Sequence, residues 1–112
     1  MELAKQTCKP CEGGIPPMDR DYAGKQMEKL SGAWKLAGDA LSITREFTFY
    51  NFSEGMGFVN TVAAIAEEQG HHPDISIHDY KFVVITLSTH AIKGLSINDF
   101  IVAAKIDAIK KG

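Results

Sequence analysis

Residues 41–49, LSITREFTF, carry a clear structural signal, because Leu41, Ile43, Phe47 and Phe49 alternate with polar side chains. Successive side chains of a β-strand point to opposite faces of a sheet. This period of two therefore predicts a strand that is buried on one face and solvated on the other. An apolar face of this kind has to be covered by other elements of the same domain.

The sequence on both sides of this strand predicts three helices. One helix is expected from an N-cap at Asp19 to a terminating glycine at Gly32. A longer helix is expected from an N-cap at Ser53 to Gln69, with Gly70 as its left-handed stop. A last helix is expected to begin at Ser96. Further strands are predicted at residues 34–36, 75–79 and 82–89.

The order of the predicted elements defines the fold class. Helix, strands, helix, hairpin and helix indicate an α+β fold, with an antiparallel β-sheet of about four strands and the helices packed on one face. Residues 18–112 are predicted to form this single domain. Residues 1–17 are rich in proline and glycine without an apolar period, so they are predicted to form a flexible tail.

Composition and charge exclude several classes of protein. The 112 residues carry a formal net charge of -2, which argues against binding to nucleic acid. No apolar run approaches the roughly 20 residues that cross a membrane, and the first residues do not resemble a signal peptide. We therefore expect a cytoplasmic protein that contacts neither membrane nor nucleic acid, with its two cysteines reduced.

One predicted element suggests self-association. The helix expected at 53–69 is apolar around much of its circumference, because Met56, Phe58 and Ile65 widen a stripe that already includes Val59. A helix of this kind is usually covered on two sides. In a domain this small the second cover is expected to be another subunit, so we predict a homodimer or homotetramer.

The histidines lie at the ends of predicted elements. His71, His72 and Pro73 follow the helix that ends near Gln69, and His90 closes the strand that begins near residue 82. Proline biases the residue before it toward an extended backbone, so the two adjacent imidazoles are held stiffly. An imidazole titrates near pH ~6.5, so neutral and charged rings can act in one site.

Three blocks of sequence together carry a family resemblance. They are EEQGHHPDI at 67–75, VITLSTH at 84–90 and GLSIND at 94–99. In this order they resemble the signature of the pterin-4a-carbinolamine dehydratase family, and the similarity extends from about Met18 to Ile109. The resemblance implies a lyase that dehydrates 4a-hydroxytetrahydrobiopterin to quinonoid dihydropterin during tetrahydropterin recycling. It also implies a small pterin substrate, no metal and no organic cofactor.

The resemblance also assigns roles to residues. His71 and His90 are expected to transfer protons, His72 is expected mainly to hold the substrate, and all three belong to the catalytic set. Asp99 is expected to support the site. The residues expected to contact the pterin beside the histidines are Pro73, Thr89, Ala91 and Ile92.

Two other functions compete with dehydration. Animal members of the family stabilise dimers of a homeodomain transcription factor, and some relatives are associated with a pterin-dependent hydroxylase. An interaction role of this kind is therefore the alternative. A metal site built on the histidines is less favoured, because such sites usually add carboxylate or cysteine ligands.

Several polar residues have structural interpretations. Ser96 and Asp99 have the spacing of a capping box, a role that is compatible with support of the site. His78 is predicted to be an ordinary surface residue of a strand. Cys8 and Cys11 have the spacing of half a zinc site or a redox pair, without the second half that either would need. An intersubunit or metal-bridging role for the two cysteines stays open.

Overall fold

The computed structural model describes residues 2–9 and 15–109. Its strands form a four-stranded antiparallel sheet with the strand order β1-β2-β4-β3. Three helices accompany the sheet, which confirms the α+β class and the number of strands. The strands are β1 (Lys35–Leu36), β2 (Ile43–Thr48), β3 (Asp74–His78) and β4 (Phe82–Leu87), and the helices are α1 (Arg20–Met27), α2 (Phe52–Gln69) and α3 (Ile97–Ile109).

One face of the sheet carries the core. On β2, Ile43 and Phe47 are buried while Glu46 and Thr48 are exposed, as the alternating pattern predicts. α2 and α3 supply the apolar cover on this face, and α3 is buried along most of its length. The fully buried side chains of β4 that meet these helices are Val83, Ile85 and Leu87.

The predicted boundaries of α1 need one correction. The Asp19 side chain accepts a hydrogen bond from the Tyr22 amide at 2.8 Å, which confirms the N-cap. The helix ends at Met27 rather than at Gly32. The reason is that the amides of Lys29 and Leu30 bond to carbonyls three residues back, so the last turn tightens and the α-helical ladder stops.

The start of α2 also differs from the prediction, whereas its end agrees. The N-cap is Asn51, whose side chain accepts a hydrogen bond from the Glu54 amide at 2.8 Å. Ser53 lies inside the helix. Asparagine and serine are comparable N-cap residues, so cap preference alone does not choose between the two positions. Gly70 ends the helix in the left-handed conformation with φ 66°, as predicted.

The surface of α2 bears on the prediction of self-association. Phe58, Val62 and Ala66 are buried, and Val59 and Ile65 pack partly against the core. Part of the broad apolar surface is therefore used within one subunit, and the homodimer or homotetramer stays a prediction. No helix within residues 2–9 and 15–109 combines the length and apolar character needed to cross a membrane.

The first described segment contacts the domain. Leu3 is buried within a short 3-10 turn at Leu3–Lys5 that packs against α3. The Lys105 ammonium donates a hydrogen bond to the Ala4 carbonyl at 2.8 Å. The predicted division into a flexible tail at 1–17 and a domain at 18–112 stays a prediction, and Cys11 lies outside the described residues.

Candidate active site

The end of α2 places His71 at the site. Gly70 adopts the left-handed conformation that favours glycine, and its amide bonds to the Ala66 carbonyl. The His71 amide bonds to the same carbonyl at 3.2 Å. The chain therefore turns sharply after the helix, and the first histidine of the pair points back toward the start of α3.

His71 is paired with a buried carboxylate. Its Nε2 lies 2.6 Å from Oδ1 of Asp99, and the side chains of His71 and Asp99 are 12% and 0% exposed. An ionised carboxylate only accepts hydrogen bonds, so Nε2 carries the proton in this pair. Nδ1 is then the nitrogen of His71 that can give or take a proton from a bound molecule.

Asp99 is held by further donors near the beginning of α3. Its Oδ2 accepts hydrogen bonds from the Thr89 hydroxyl at 2.8 Å and from the Ser96 amide at 3.0 Å. The Thr89 hydroxyl also lies 2.7 Å from that of Ser96. Because the proton of Thr89 goes to Asp99, Ser96 is the donor to Thr89. Asp99 thus accepts the capping bond from the Ser96 amide, as predicted, and also contacts an imidazole.

A short loop presents His90. The Thr89 amide bonds to the Gly94 carbonyl at 2.7 Å, and the Gly94 amide bonds back at 3.3 Å. Between them lies a 3-10 turn, His90–Ile92, which ends at Lys93 in the left-handed conformation. Pro17 packs so closely on Gly94 that no side chain fits there. The loop is therefore fixed at both ends, and His90 is exposed on it.

His72 is held more loosely than His71. Its Nε2 lies 2.7 Å from Oε1 of Glu67, and the two side chains are 61% and 77% exposed. Solvent screens an exposed pair of this kind, so it contributes little to stability. It orients the second imidazole at the surface, next to the buried pair.

These side chains surround one cavity of about 540 Å³. That volume is within the usual range for small-molecule sites. Asp99 does not line the cavity itself and is connected to it by its bond to His71. Pro73 and Ile92 do not line the cavity either, and Ile92 is buried in the loop that carries His90. The predicted residues that the structure brings together around the cavity are His71, His72, Thr89, His90 and Ala91.

The cavity also includes residues whose place there the sequence does not predict. The place of Glu67 at the cavity could have been predicted, because Glu67 is in the last turn of α2, about one helical turn before His71 in the chain. Cys8, Lys9 and Asn98 also line the cavity. No local pattern points to them, since Lys9 and Asn98 are 89 positions apart in the chain.

The remaining candidates lie elsewhere. His78 is exposed on β3, where its ring nitrogen lies 3.0 Å from the Ser76 hydroxyl, as expected for a surface residue. Within residues 2–9 and 15–109, no three histidine, cysteine or acidic side chains are grouped so that they could bind a metal ion. The zinc and redox interpretations of Cys8 and Cys11 involve a residue outside this part of the chain.

The chain matches a known family along most of its length. The family model described as pterin 4 alpha carbinolamine dehydratase matches residues 16–109. A protein of Halorhodospira halophila is 45% identical over 109 residues, which are 97% of this chain and 98% of that protein. A protein of Nitrosomonas europaea is 43% identical over 110 residues, or 98% and 95% of the two chains. Both relatives carry the family's name provisionally. The chain belongs to the pterin-4a-carbinolamine dehydratase family.

Solved structures give the same fold. The crystal structure of a transcriptional coactivator/pterin dehydratase from Brucella melitensis superposes with a TM-score of 0.76 at 31% identity, over 83% of this chain and 97% of that one. A pterin dehydratase-like protein, described as a RuBisCO assembly factor in the alpha-carboxysome, superposes with a TM-score of 0.60 at 26% identity, over 71% and 92%. The fold therefore occurs in proteins with different described roles.

Proposed function

We propose that this protein removes water from 4a-hydroxytetrahydrobiopterin, or a closely related pterin-4a-carbinolamine, to give quinonoid dihydropterin. The observation that carries the proposal is the His71–Asp99 pair at 2.6 Å on a cavity that His72 and His90 also line. Family membership supports the same reaction. The protein is then a hydro-lyase of tetrahydropterin recycling.

The reaction requires two proton transfers. A proton is delivered to the 4a-hydroxyl, the C4a–O bond breaks, and water leaves. The proton on N5 is removed, and its electron pair forms the C4a–N5 double bond. No electrons are gained or lost overall, so a positioned acid and a positioned base are the groups that the reaction needs.

The histidines are suited to these two roles in different ways. Asp99 holds His71 with its Nε2 protonated, which leaves Nδ1 of His71 as the base that accepts the N5 proton. His90, exposed on its loop, is assigned as the acid that protonates the leaving hydroxyl. His72 is assigned to substrate binding. Thr89 and Ala91 complete the proposed pterin contacts on the cavity, and Pro73 and Ile92 support the segments that carry them.

The test is a kinetic comparison of single and double variants. We expect His71→Ala and His90→Ala each to lower kcat on the order of 10² to 10⁴, the usual contribution of a positioned acid or base. The double variant should lose less than the product of the two effects, because both groups serve one bond-breaking event. The measurement is the ultraviolet decay of carbinolamine generated in situ, corrected for the uncatalysed reaction. Wild-type turnover in both single variants would contradict the proposal.

A second candidate function is a role in binding other proteins. The similar Brucella melitensis protein is described as a transcriptional coactivator as well as a pterin dehydratase, and the second similar structure is described as an assembly factor. A transcription factor or a pterin-dependent hydroxylase is the corresponding partner for this chain. Normal function in cells of a protein with both His71 and His90 replaced would favour this role over catalysis. A cytoplasmic location and a homodimer or homotetramer are part of either proposal.

A further inference from the structure

The first described segment reaches the cavity. We call residues 2–9 the N-terminal strap. It packs along α3, where Lys105 bonds to the Ala4 carbonyl, and it ends with Cys8 and Lys9 on the cavity wall. The strap therefore connects the far part of α3 with the histidines, although its composition predicts no ordered role.

Two side chains hold the end of the strap by its backbone. Asn98 Oδ1 accepts a hydrogen bond from the Lys9 amide at 3.1 Å, and Asn98 Nδ2 donates one to the Lys9 carbonyl at 2.6 Å. Gln69 Oε1 accepts a hydrogen bond from the Cys8 amide at 2.8 Å. A side-chain amide that bonds to both backbone groups of one residue defines the direction as well as the position of that segment.

The residues that hold the strap are close in sequence to His71 and Asp99. Gln69 is the last residue of α2 and is followed by Gly70 and His71, while Asn98 directly precedes Asp99. Asn98 is only 4% exposed. A buried amide that loses its partners has a substantial desolvation cost, so docking of the strap is coupled to the start of α3.

We propose that Asn98 is a positioning residue that holds Cys8 and Lys9 as one wall of the pterin site. This inference rests on the proposed function, and it assigns the strap to substrate affinity rather than to proton transfer. The docked strap closes the cavity on the side of Cys8 and Lys9. When it is released, the bound pterin loses contacts on that side, and water enters.

The kinetic test separates affinity from chemistry. Asn98→Ala should raise KM roughly tenfold, an effect that corresponds to one or two net hydrogen bonds, with kcat within about twofold of wild type. Asn98→Asp should raise KM at least as much as Asn98→Ala, because a carboxylate oxygen then faces the Lys9 carbonyl that accepted from Asn98 Nδ2. Lys9→Pro removes the strap's own N–H without changing the domain, and it should also raise KM.

Lys105→Met is the matched control for these variants. Lys105 is also a side chain of α3 that bonds to the strap backbone, but it does so at Ala4, away from the cavity. Its replacement should leave KM unchanged. A wild-type KM in both Asn98→Ala and Lys9→Pro would overturn the proposal, as would an equal rise of KM in Lys105→Met.

A thiol measurement tests the strap independently of turnover. In a Cys11→Ser background, Asn98→Ala should make Cys8 react several times faster with a thiol reagent, and saturating 7,8-dihydrobiopterin should slow the reaction of the parent. If turnover is absent while both changes occur, the dehydratase proposal fails and the strap proposal stands. Cys8 reactivity that responds to neither the substitution nor the pterin overturns the strap proposal, whatever the activity.

Discussion

The two ends of α3 carry two aspartates with very different surroundings. Near the N-terminus, Asp99 is fully buried and bonds to His71, Thr89 and the Ser96 amide. Near the C-terminus, Asp107 bonds to Arg45 at 2.6 Å, and its carboxylate also accepts hydrogen bonds from Trp34 Nε1 at 2.7 Å and the Ser31 amide at 2.9 Å. Both carboxylates are multiply bonded and join α3 to other parts of the chain.

The difference between them lies in what each carboxylate holds. The partner of Asp107 is a buried guanidinium that lies 4.2 Å from the centre of the Phe47 ring, and arginine stays charged at all ordinary pH values. The partner of Asp99 is an imidazole at the wall of a cavity. The positive end of a helix dipole favours Asp99, whereas Asp107 lies at the unfavourable end and needs its cation. Of the two aspartates, Asp99 is therefore the one whose partner could exchange protons with a ligand.

The largest expected effect tests the structural end of this comparison. Asp107→Ala leaves the Arg45 charge buried without its partner, so we expect it to lower the free energy of unfolding by about 3 kcal/mol. At denaturant concentrations below the unfolding transition, kcat should stay near that of the wild type. Denaturant unfolding measures the loss, and the double variant Arg45→Met/Asp107→Ala should lose less than the sum of its parts. Strict additivity would show that the pair is not coupled.

The next effect tests the N-terminal part of α3, where Asp99 bonds to His71. In Asp99→Asn, an amide group turned toward His71 donates to Nε2 and favours the other tautomer, so Nδ1 is less available for its proposed role as the base. We expect kcat to fall on the order of 10- to 100-fold, the range found when a partner that orients a histidine is lost. Asp107→Asn is the matched control in the same helix and should keep its kcat. Equal activity of the two variants would remove the distinction between the two ends.

The smallest effect concerns the exposed His72–Glu67 pair, which lies next to the buried His71–Asp99 pair. His72→Ala should raise KM several-fold and change kcat little, because lost ground-state binding appears in KM. Steady-state kinetics measures both constants, and His78→Ala, which removes an exposed histidine outside the site, should behave as wild type. A large fall in kcat with an unchanged KM would instead place His72 among the proton-transfer groups.

The secondary structure was largely predictable because its signals are local. The alternation in β2, the N-cap at Asp19 and the left-handed Gly70 each depend on a few neighbouring residues, and all three occur as expected. The errors were at helix ends. Asn51 and Ser53 are both suitable caps, and only the packing of the first turn decides between them.

The chemistry of the site was less accessible from the same sequence. The histidines at 71, 72 and 90 were evident from motif and resemblance, and the structure brings them to one cavity. The resemblance indicated that Asp99 supports the site, but a capping box explains this residue equally well, so the sequence did not show that it pairs with His71 across 28 positions. The bond between Lys9 and Asn98 has no sequence signal, since it uses the strap's backbone, which every residue shares.

Local sequence signals were therefore sufficient to predict the α+β class, the strand that carries the core, and the residue types that could move protons. They were sufficient because periodicity, capping and the choice of imidazole are properties of short stretches. The packed domain, in contrast, was needed to show that Asp99 bonds to an imidazole and Asp107 to an arginine. It also placed Cys8 and Lys9, which carry no local signal for such a position, on the wall of the cavity. Those outcomes depend on which distant groups are brought together and removed from water, and that is settled by packing of the whole domain.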